Sequence, residues 1–198
     1  MESYKLAFKF FVEDDSALTG HEFVLIFHKW IQQHKVADHL AIDVADYEHV
    51  HNGPGTLLIT HEANFALDRA DGKLGLLYVR KQPIATAVTF PERLRALIHF
   101  ALAAARQLEE DLPGKLKFRT DEFAFRIYDR LLGPNTSDTF AAVKPDLESL
   151  VADLYGGAPK ALEFHPSPQS LFEVLIKAPA SPTISKLLER VPATVAAH

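Results

Sequence analysis

Histidine and carboxylate side chains cluster between residues 49 and 62. His49 and His51 are two apart, so both would face the same way on an extended strand. His61 and Glu62 follow the next apolar run. Imidazole and carboxylate together suit zinc or another divalent metal. The motif is incomplete, because the two groups flank a strand and would lie roughly 20 Å apart if the chain stays extended. Loop histidines bonded to backbone or water are the alternative, and the metal content stays unknown.

The second candidate is an anion site around the only Asn-Gly-Pro-Gly turn, at residues 52–55. Backbone N–H groups of such a loop and nearby cations bind phosphate or carboxylate. The glycine spacing matches neither the P-loop nor the dinucleotide fingerprint. Our predicted ligand-binding residues are therefore the polar members of this region: His49, His51, Asn52, Gly53, Gly55, His61, Glu62, Arg80 and Lys81.

Composition narrows the function classes. The chain has 198 residues, a formal net charge of −5 and no cysteine. Without cysteine, disulfides, thiolate metal sites and thiol nucleophiles are excluded. The negative charge argues against nucleic-acid binding, although residues 115–130 carry one basic ribbon. No serine lies in a nucleophile elbow, so no catalytic residue is assigned.

The N-terminal apolar run is interrupted by Lys5 and Lys9 and resembles no signal peptide. No apolar run approaches the roughly 20 residues of a membrane span. We therefore expect a cytoplasmic protein without membrane contact.

Hydrophobic periodicity predicts alternating strands and helices. Strands are expected at 4–12, 40–44, 47–51, 56–60, 65–67 and 73–80, with a half-solvated hairpin over 115–128 and a last hairpin over 161–176. Capping boxes at Thr19/Glu22 and Thr89/Glu92 predict the first two helices. A third helix covers 138–155, with its main part starting at Pro145.

These elements predict an α+β fold: a mixed, mostly antiparallel sheet with three main helices on one side. Residues 1–178 form a single domain, or two halves at 1–112 and 113–178. Residues 179–198 form a C-terminal tail with a short helix around Ile184–Val191. Residues 54–69 and 113–130 share Pro-Gly-x-Leu and Thr-x-Glu-x-x-Phe, which suggests a ββα duplication.

The pattern His-Val-x-Asn-Gly-Pro-Gly, followed by His-Glu-Ala and Gly-Leu-Leu-Tyr-x-Arg-Lys, is similar to an uncharacterised bacterial family. It runs from His49 to Lys81, and later elements extend the likeness over most of the chain. The resemblance implies no activity, cofactor or site residue.

The sequence therefore favours a non-catalytic binding or assembly protein. Its partner would be another protein, a second copy in a homodimer, or a small anionic ligand bound by the 49–81 region. The alternative is a metal-dependent, hydrolase-like enzyme that uses His49, His51, His61 and Glu62.

Overall fold

A computed structural model of the chain describes residues 2–51, 53–70, 72–85, 87 and 89–192. These residues form eight strands and four helices. The strands are β1 (Leu6–Val12), β2 (Ala41–Asp46), β3 (Thr56–Thr60), β4 (Ala63–Asp68), β5 (Gly75–Arg80), β6 (Phe118–Ile127), β7 (Ala161–Phe164) and β8 (Phe172–Lys177). The helices are α1 (Gly20–Gln32), α2 (Phe90–Asp111), α3 (Ser137–Tyr155) and α4 (Ile184–Arg190).

All eight strands belong to one sheet, in the order β2-β3-β4-β5-β1-β6-β8-β7. Every pairing between described strands is antiparallel, so the sheet is not mixed. The predicted α+β class with three main helices is confirmed, and a fourth, short helix is added.

The side chains of the central strand β1 alternate between the two faces of the sheet. Leu6, Phe8 and Phe10 join the core that all four helices cover. The opposite, helix-free face carries Ala7 and Lys9. The Lys9 side chain is 0% exposed, and its Nζ lies 2.6 Å from Oδ1 of Asp68. The ion pair removes the cost of leaving a buried ammonium unpartnered.

The first two helices begin where their capping boxes predict. The backbone N–H of Thr19 donates to Glu22 at 3.1 Å, and that of Thr89 donates to Glu92 at 2.8 Å. On α1, the side chains of Phe23, Phe27 and Trp30 reach the core. These contacts confirm the periodicity argument for both helices.

The predicted hairpin over residues 115–128 is wrong. Residues Phe118–Ile127 form one strand that pairs with β1 on one side and β8 on the other. The polar residues interpreted as a turn lie within this strand, because they pair with β8: Glu122 is opposite Lys177, and the N–H of Ala178 donates to the carbonyl of Asp121 at 2.8 Å. The Glu122 carboxylate also accepts from Lys73 at 2.9 Å, and that of Asp121 from Arg119. The backbone ladder with β8 keeps the polar run extended.

The break expected before Pro145 is also wrong, since α3 is continuous from Ser137 to Tyr155. The helix starts at Thr136, whose side chain accepts from the N–H of Thr139. Val143 and Leu147 on either side of the proline are fully buried. This packing offsets the hydrogen bond that proline cannot donate.

The ββα duplication is not confirmed. Residues 54–69 span the β3–β4 hairpin, whereas residues 113–130 span a loop and the single strand β6. The two halves do share a connectivity at a coarser level. Each starts with a strand and a helix and ends with a helix, and between the two helices lie four antiparallel strands (β2–β5) in the first half and two (β7 and β8) in the second. The two first strands, β1 and β6, are neighbours.

The C-terminal segment belongs to the core as far as α4. Ile184, Leu187 and Leu188 are buried with the main cluster. Arg190 donates to the carbonyl of Leu154 at 2.7 Å, which fastens α4 to α3. Among the described helices, none combines the length and apolar character that crossing a membrane requires.

Candidate functional site

The predicted site residues are divided between the two ends of β3. His49, His51, Gly53 and Gly55 precede the strand, and His61 follows it, in a two-residue turn before β4. A five-residue strand separates the two groups by roughly 17 Å at 3.3–3.4 Å per residue. Asn52 lies outside the described residues.

We name residues 47–55, which connect β2 to β3, the glycine loop. The strand predicted at 47–51 is a turn instead, closed by a hydrogen bond from the N–H of Tyr47 to the carbonyl of Gly55 at 2.9 Å. Gly55 has a φ of +68°, and a Cβ there would lie 1.9 Å from the carbonyl oxygen of Leu67. The glycine is therefore required by close packing against β4. His49 and His51 are exposed.

The described residues contain no group of three His, Asp or Glu side chains placed to hold a metal ion. His49 and His51 sit at one end of β3, and His61 with Glu62 at the other. This arrangement gives no geometric support to a metal centre built from these four residues.

At the other end of β3, the predicted residues bond to protein atoms. Arg80 is only 7% exposed, and its guanidinium donates to the carbonyl of Gln82 at 2.7 Å, to that of Pro83 at 3.4 Å and to the hydroxyl of Tyr78 at 3.4 Å. The ammonium of Lys81 donates to the carbonyl of Thr60. Both cations thus stabilise the turns at this corner of the sheet.

Glu62 ties the same corner to β2. Its carboxylate accepts from the N–H of Leu40 at 2.8 Å. Burial raises the pKa of Glu62, but the backbone hydrogen bonds and the nearby imidazoles outweigh burial, so its pKa lies below the usual value. Burial lowers the pKa of Lys81, and the neighbouring Glu62 partly opposes this.

The structure adds two residues that the sequence did not assign to the site, His39 and Tyr78. Nδ1 of His39 lies 2.8 Å from the carbonyl of Ala37, and its Nε2 lies 2.9 Å from the Tyr78 hydroxyl. A carbonyl only accepts, so Nδ1 carries the proton and Nε2 accepts from Tyr78. With Arg80 behind Tyr78, a continuous hydrogen-bonded chain runs from Arg80 to Ala37. We name it the His39 relay.

Aromatic rings surround His39. Phe65, Tyr78 and Phe100 approach it edge-on, with ring centroids 5.2, 5.7 and 4.8 Å away. Burial lowers the pKa of His39, and the positive charge of Arg80 acts in the same direction. Burial also raises the pKa of Tyr78. The relay is therefore neutral at His39 and at Tyr78 near pH 7.

A cavity of about 490 Å³ opens beside this relay, between the α1–β2 loop, α2 and α4. We name it the α2 cavity. Aromatic and aliphatic side chains supply much of its wall, including Trp30, Phe65, Phe100 and Leu188. His39 and His99 also line it. Lys35, Asp38, Arg106 and Glu189 contribute two positive and two negative charges to the wall.

His99 is the second imidazole of the α2 cavity. Its Nδ1 lies 2.7 Å from the carbonyl of Val191, the residue that follows α4. Its ring contacts Phe100 edge-on at 5.8 Å between centroids. The sequence analysis pointed to neither His99 nor Phe100. The available signal was Phe100 itself, because a large aromatic residue on a helix needs an apolar surface to contact.

The cations of the basic ribbon predicted over residues 115–130 contact protein groups. Each of its five cations has a protein partner: Lys115 with Glu22, Lys117 with Glu13, Arg119 with Asp121, Arg126 with Glu173, and Arg130 with the carbonyl of Pro168. Pairing with protein groups weakens the attraction of these cations for phosphates.

Comparisons of the chain with protein-family models, with curated proteins and with solved structures gave no match. Inference about function therefore depends on the geometry of the α2 cavity and its two histidines.

Proposed function

We propose that the protein is a cytoplasmic, non-catalytic binding protein whose ligand is a small, largely apolar molecule held in the α2 cavity. The observation that carries the proposal is the cavity itself. Its volume of about 490 Å³ falls within the roughly 300–1,000 Å³ of ligand pockets, and aromatic side chains with a few polar groups line it. We keep the binding function predicted from the sequence and propose this cavity, rather than the glycine loop, as the binding site.

The contacts of the cavity residues favour binding over catalysis. Nδ1 of each histidine is directed to a backbone carbonyl. Among the described residues, neither imidazole is hydrogen-bonded to a serine or threonine hydroxyl, so the pairing of nucleophile and base typical of acyl transfer is not formed. Apolar walls with isolated polar groups orient a ligand.

Trp30 provides a direct test, because it is the only tryptophan of the chain and lines the cavity. The probe is N-phenyl-1-naphthylamine, a neutral naphthalene dye, excited by energy transfer from Trp30. We expect saturable transfer in the wild type. In Ala103→Phe, the added ring occupies the cavity next to Phe100, and we expect at least about tenfold weaker binding.

The matched control is Ala142→Phe, which adds the same ring at an exposed position of α3. It should bind the dye as the wild type does. Circular dichroism would establish that both variants fold. Equal dye affinity in Ala103→Phe and Ala142→Phe would place the dye elsewhere and refute the proposal.

One observation favours assembly as a second candidate function. Four of the exposed large hydrophobic residues lie on the outermost strand β2 and its flanks: Leu40, Ile42, Tyr47 and Val50. An exposed apolar edge strand is a frequent site of association. We propose a homodimer through this edge as the alternative to ligand binding.

Sedimentation velocity over a wide concentration range tests this alternative. We expect dimers in the wild type and monomers in Ile42→Glu, because a buried charge would oppose pairing at the edge. Leu131→Glu is the control, since Leu131 is 88% exposed and lies far from β2 in the sheet order. A wild type that stays monomeric at every concentration contradicts the homodimer.

A further inference from the structure

The two imidazoles of the α2 cavity are held in the same tautomer. In each ring, Nδ1 lies within hydrogen-bond distance of a carbonyl oxygen, 2.8 Å for His39 and 2.7 Å for His99. A carbonyl oxygen cannot donate, so Nδ1 must carry the proton. In the neutral rings, Nε2 is therefore an acceptor with a lone pair to satisfy.

The Nε2 atoms of the two histidines differ in their hydrogen-bond donors. Nε2 of His39 accepts from the Tyr78 hydroxyl at 2.9 Å. Nε2 of His99 meets no hydrogen-bond donor within the part of the chain that the structure describes. The half-buried His99 ring lines the cavity. The wall thus presents one imidazole acceptor that protein groups leave open.

The charges of the cavity wall disfavour an anionic ligand. Lys35 and Arg106 are balanced in number by Asp38 and Glu189. The two cations are also engaged with carboxylates on α2, Lys35 with Asp111 at 3.5 Å and Arg106 with Glu110 at 3.6 Å. An anionic ligand would lose hydration without gaining a free cation, so a neutral ligand suits the cavity better than an anion.

We propose that the ligand of the α2 cavity is a neutral aromatic molecule with one hydrogen-bond donor, of the phenol or aryl-alcohol class, that donates to Nε2 of His99. The aromatic ring would lie against Trp30 and Phe100. This inference rests on the proposed function and names its ligand class.

Calorimetric titration of the full chain at pH 7.5 tests the inference with three probes of one ring system: 2-naphthol, 2-methoxynaphthalene and 2-naphthoate. Only 2-naphthol is both neutral and a donor. A net hydrogen bond between neutral groups corresponds to about three- to tenfold in affinity, so 2-naphthol should bind tighter than 2-methoxynaphthalene by that factor. 2-Naphthoate should bind most weakly.

Variants of His99 assign the donor preference to its ring. His99→Phe should bind 2-naphthol and 2-methoxynaphthalene equally, with the ether at wild-type affinity. His99→Gln keeps an acceptor in its amide carbonyl and should retain part of the preference. His21→Phe, an exposed histidine of α1, is the control and should behave as the wild type.

Three outcomes would overturn the inference. Equal wild-type affinity for 2-naphthol and its ether would refute the donor requirement. A preference that survives in both His99 variants would refute the role of His99. Tightest binding of 2-naphthoate would identify an anion site instead. If no naphthalene binds and the Ala103→Phe test also fails, the proposed function is refuted together with this inference, whereas binding without a donor preference refutes this inference alone.

Discussion

The two ends of β3 carry similar residue types in opposite circumstances. At the glycine loop, His49 and His51 are exposed. At the other end, His39 is enclosed by three aromatic rings and is hydrogen-bonded through both nitrogens. The first end carries the conspicuous glycine and histidine motif, whereas the second carries the histidine whose hydrogen-bond partners are defined.

This contrast separates two meanings of a glycine- and histidine-rich stretch. Glycine and proline mark where the backbone must turn or approach a neighbour, as Gly55 does against Leu67. A histidine gains a defined role only where donors and acceptors converge on it, and these come from distant residues. For His39, the hydroxyl comes from β5 and the carbonyl from the α1–β2 loop.

The largest effect is expected at Gly55. Its φ of +68° and the overlap with the carbonyl of Leu67 combine strain with a clash, so Gly55→Ala should cost about 3 kcal/mol or more of unfolding free energy. Gly72 has a φ of +72° and open space around it, so Gly72→Ala should cost only about 1 kcal/mol. Urea denaturation measures both, and equal costs would contradict a packing role for Gly55.

At the opposite end of β3, Arg80→Ala should lower the unfolding free energy by about 2–3 kcal/mol, because it removes the packing of a buried side chain and three hydrogen bonds, to the buried Tyr78 hydroxyl and to two carbonyls of the adjacent turn. Lys81→Ala removes one bond and should cost about 1 kcal/mol or less. Denaturant titration of both variants measures the two losses of unfolding free energy. A stable Arg80→Ala protein would show that the guanidinium is free for a ligand.

Within the relay, Tyr78→Phe removes a single hydroxyl. Nε2 of His39 then lacks its donor, and we expect a loss of about 1–2 kcal/mol. Tyr47→Phe, on an exposed tyrosine of the glycine loop, should stay within about 0.5 kcal/mol of the wild type. Thermal and urea unfolding should agree. Similar losses for both tyrosines would remove the distinction between the two ends.

The pH dependence of stability gives a smaller and directional effect. Because burial lowers the pKa of His39 in the folded protein, protonation favours the unfolded chain. The stabilisation by neutral His39 is complete above the unfolded pKa of about 6.5 and is lost as pH falls below it. His39→Gln should flatten the decline in unfolding free energy between pH 7.5 and 5.5. An unchanged slope would contradict the prediction.

The smallest effect is expected in the glycine loop. The double variant His49→Ala/His51→Ala should change the unfolding free energy by less than about 0.5 kcal/mol, since both side chains are exposed. Its affinity for the naphthalene probes should also equal that of the wild type. A loss of probe binding in this variant would return the glycine loop to the binding site.

Local patterns predicted most of the fold. The capping boxes at Thr19 and Thr89 and the alternation in β1 depend on near neighbours, so the sequence reveals them directly. The errors occurred where distant partners decide. β6 continues through Asp121 and Glu122 because β8, some 50 residues away along the chain, pairs with it there.

The site was less predictable for the same reason. Glu62 and Arg80 were expected to face a ligand, yet each bonds to backbone or tyrosine groups near His39. His39 and His99 lie 60 residues apart in sequence, and both line one cavity. No local spacing connects them, since α2 and the α1–β2 loop meet only in the folded chain.

The position of β1 has a consequence for synthesis on the ribosome. Strand β1 lies between β5 and β6 in the sheet, and these two neighbours are translated about 60 and about 105 residues after it. Until then its phenylalanines lack their partners on β6. Such distant pairing predicts folding in milliseconds to seconds rather than microseconds. It also predicts that chaperones bind the nascent chain as long as β1 is unpaired.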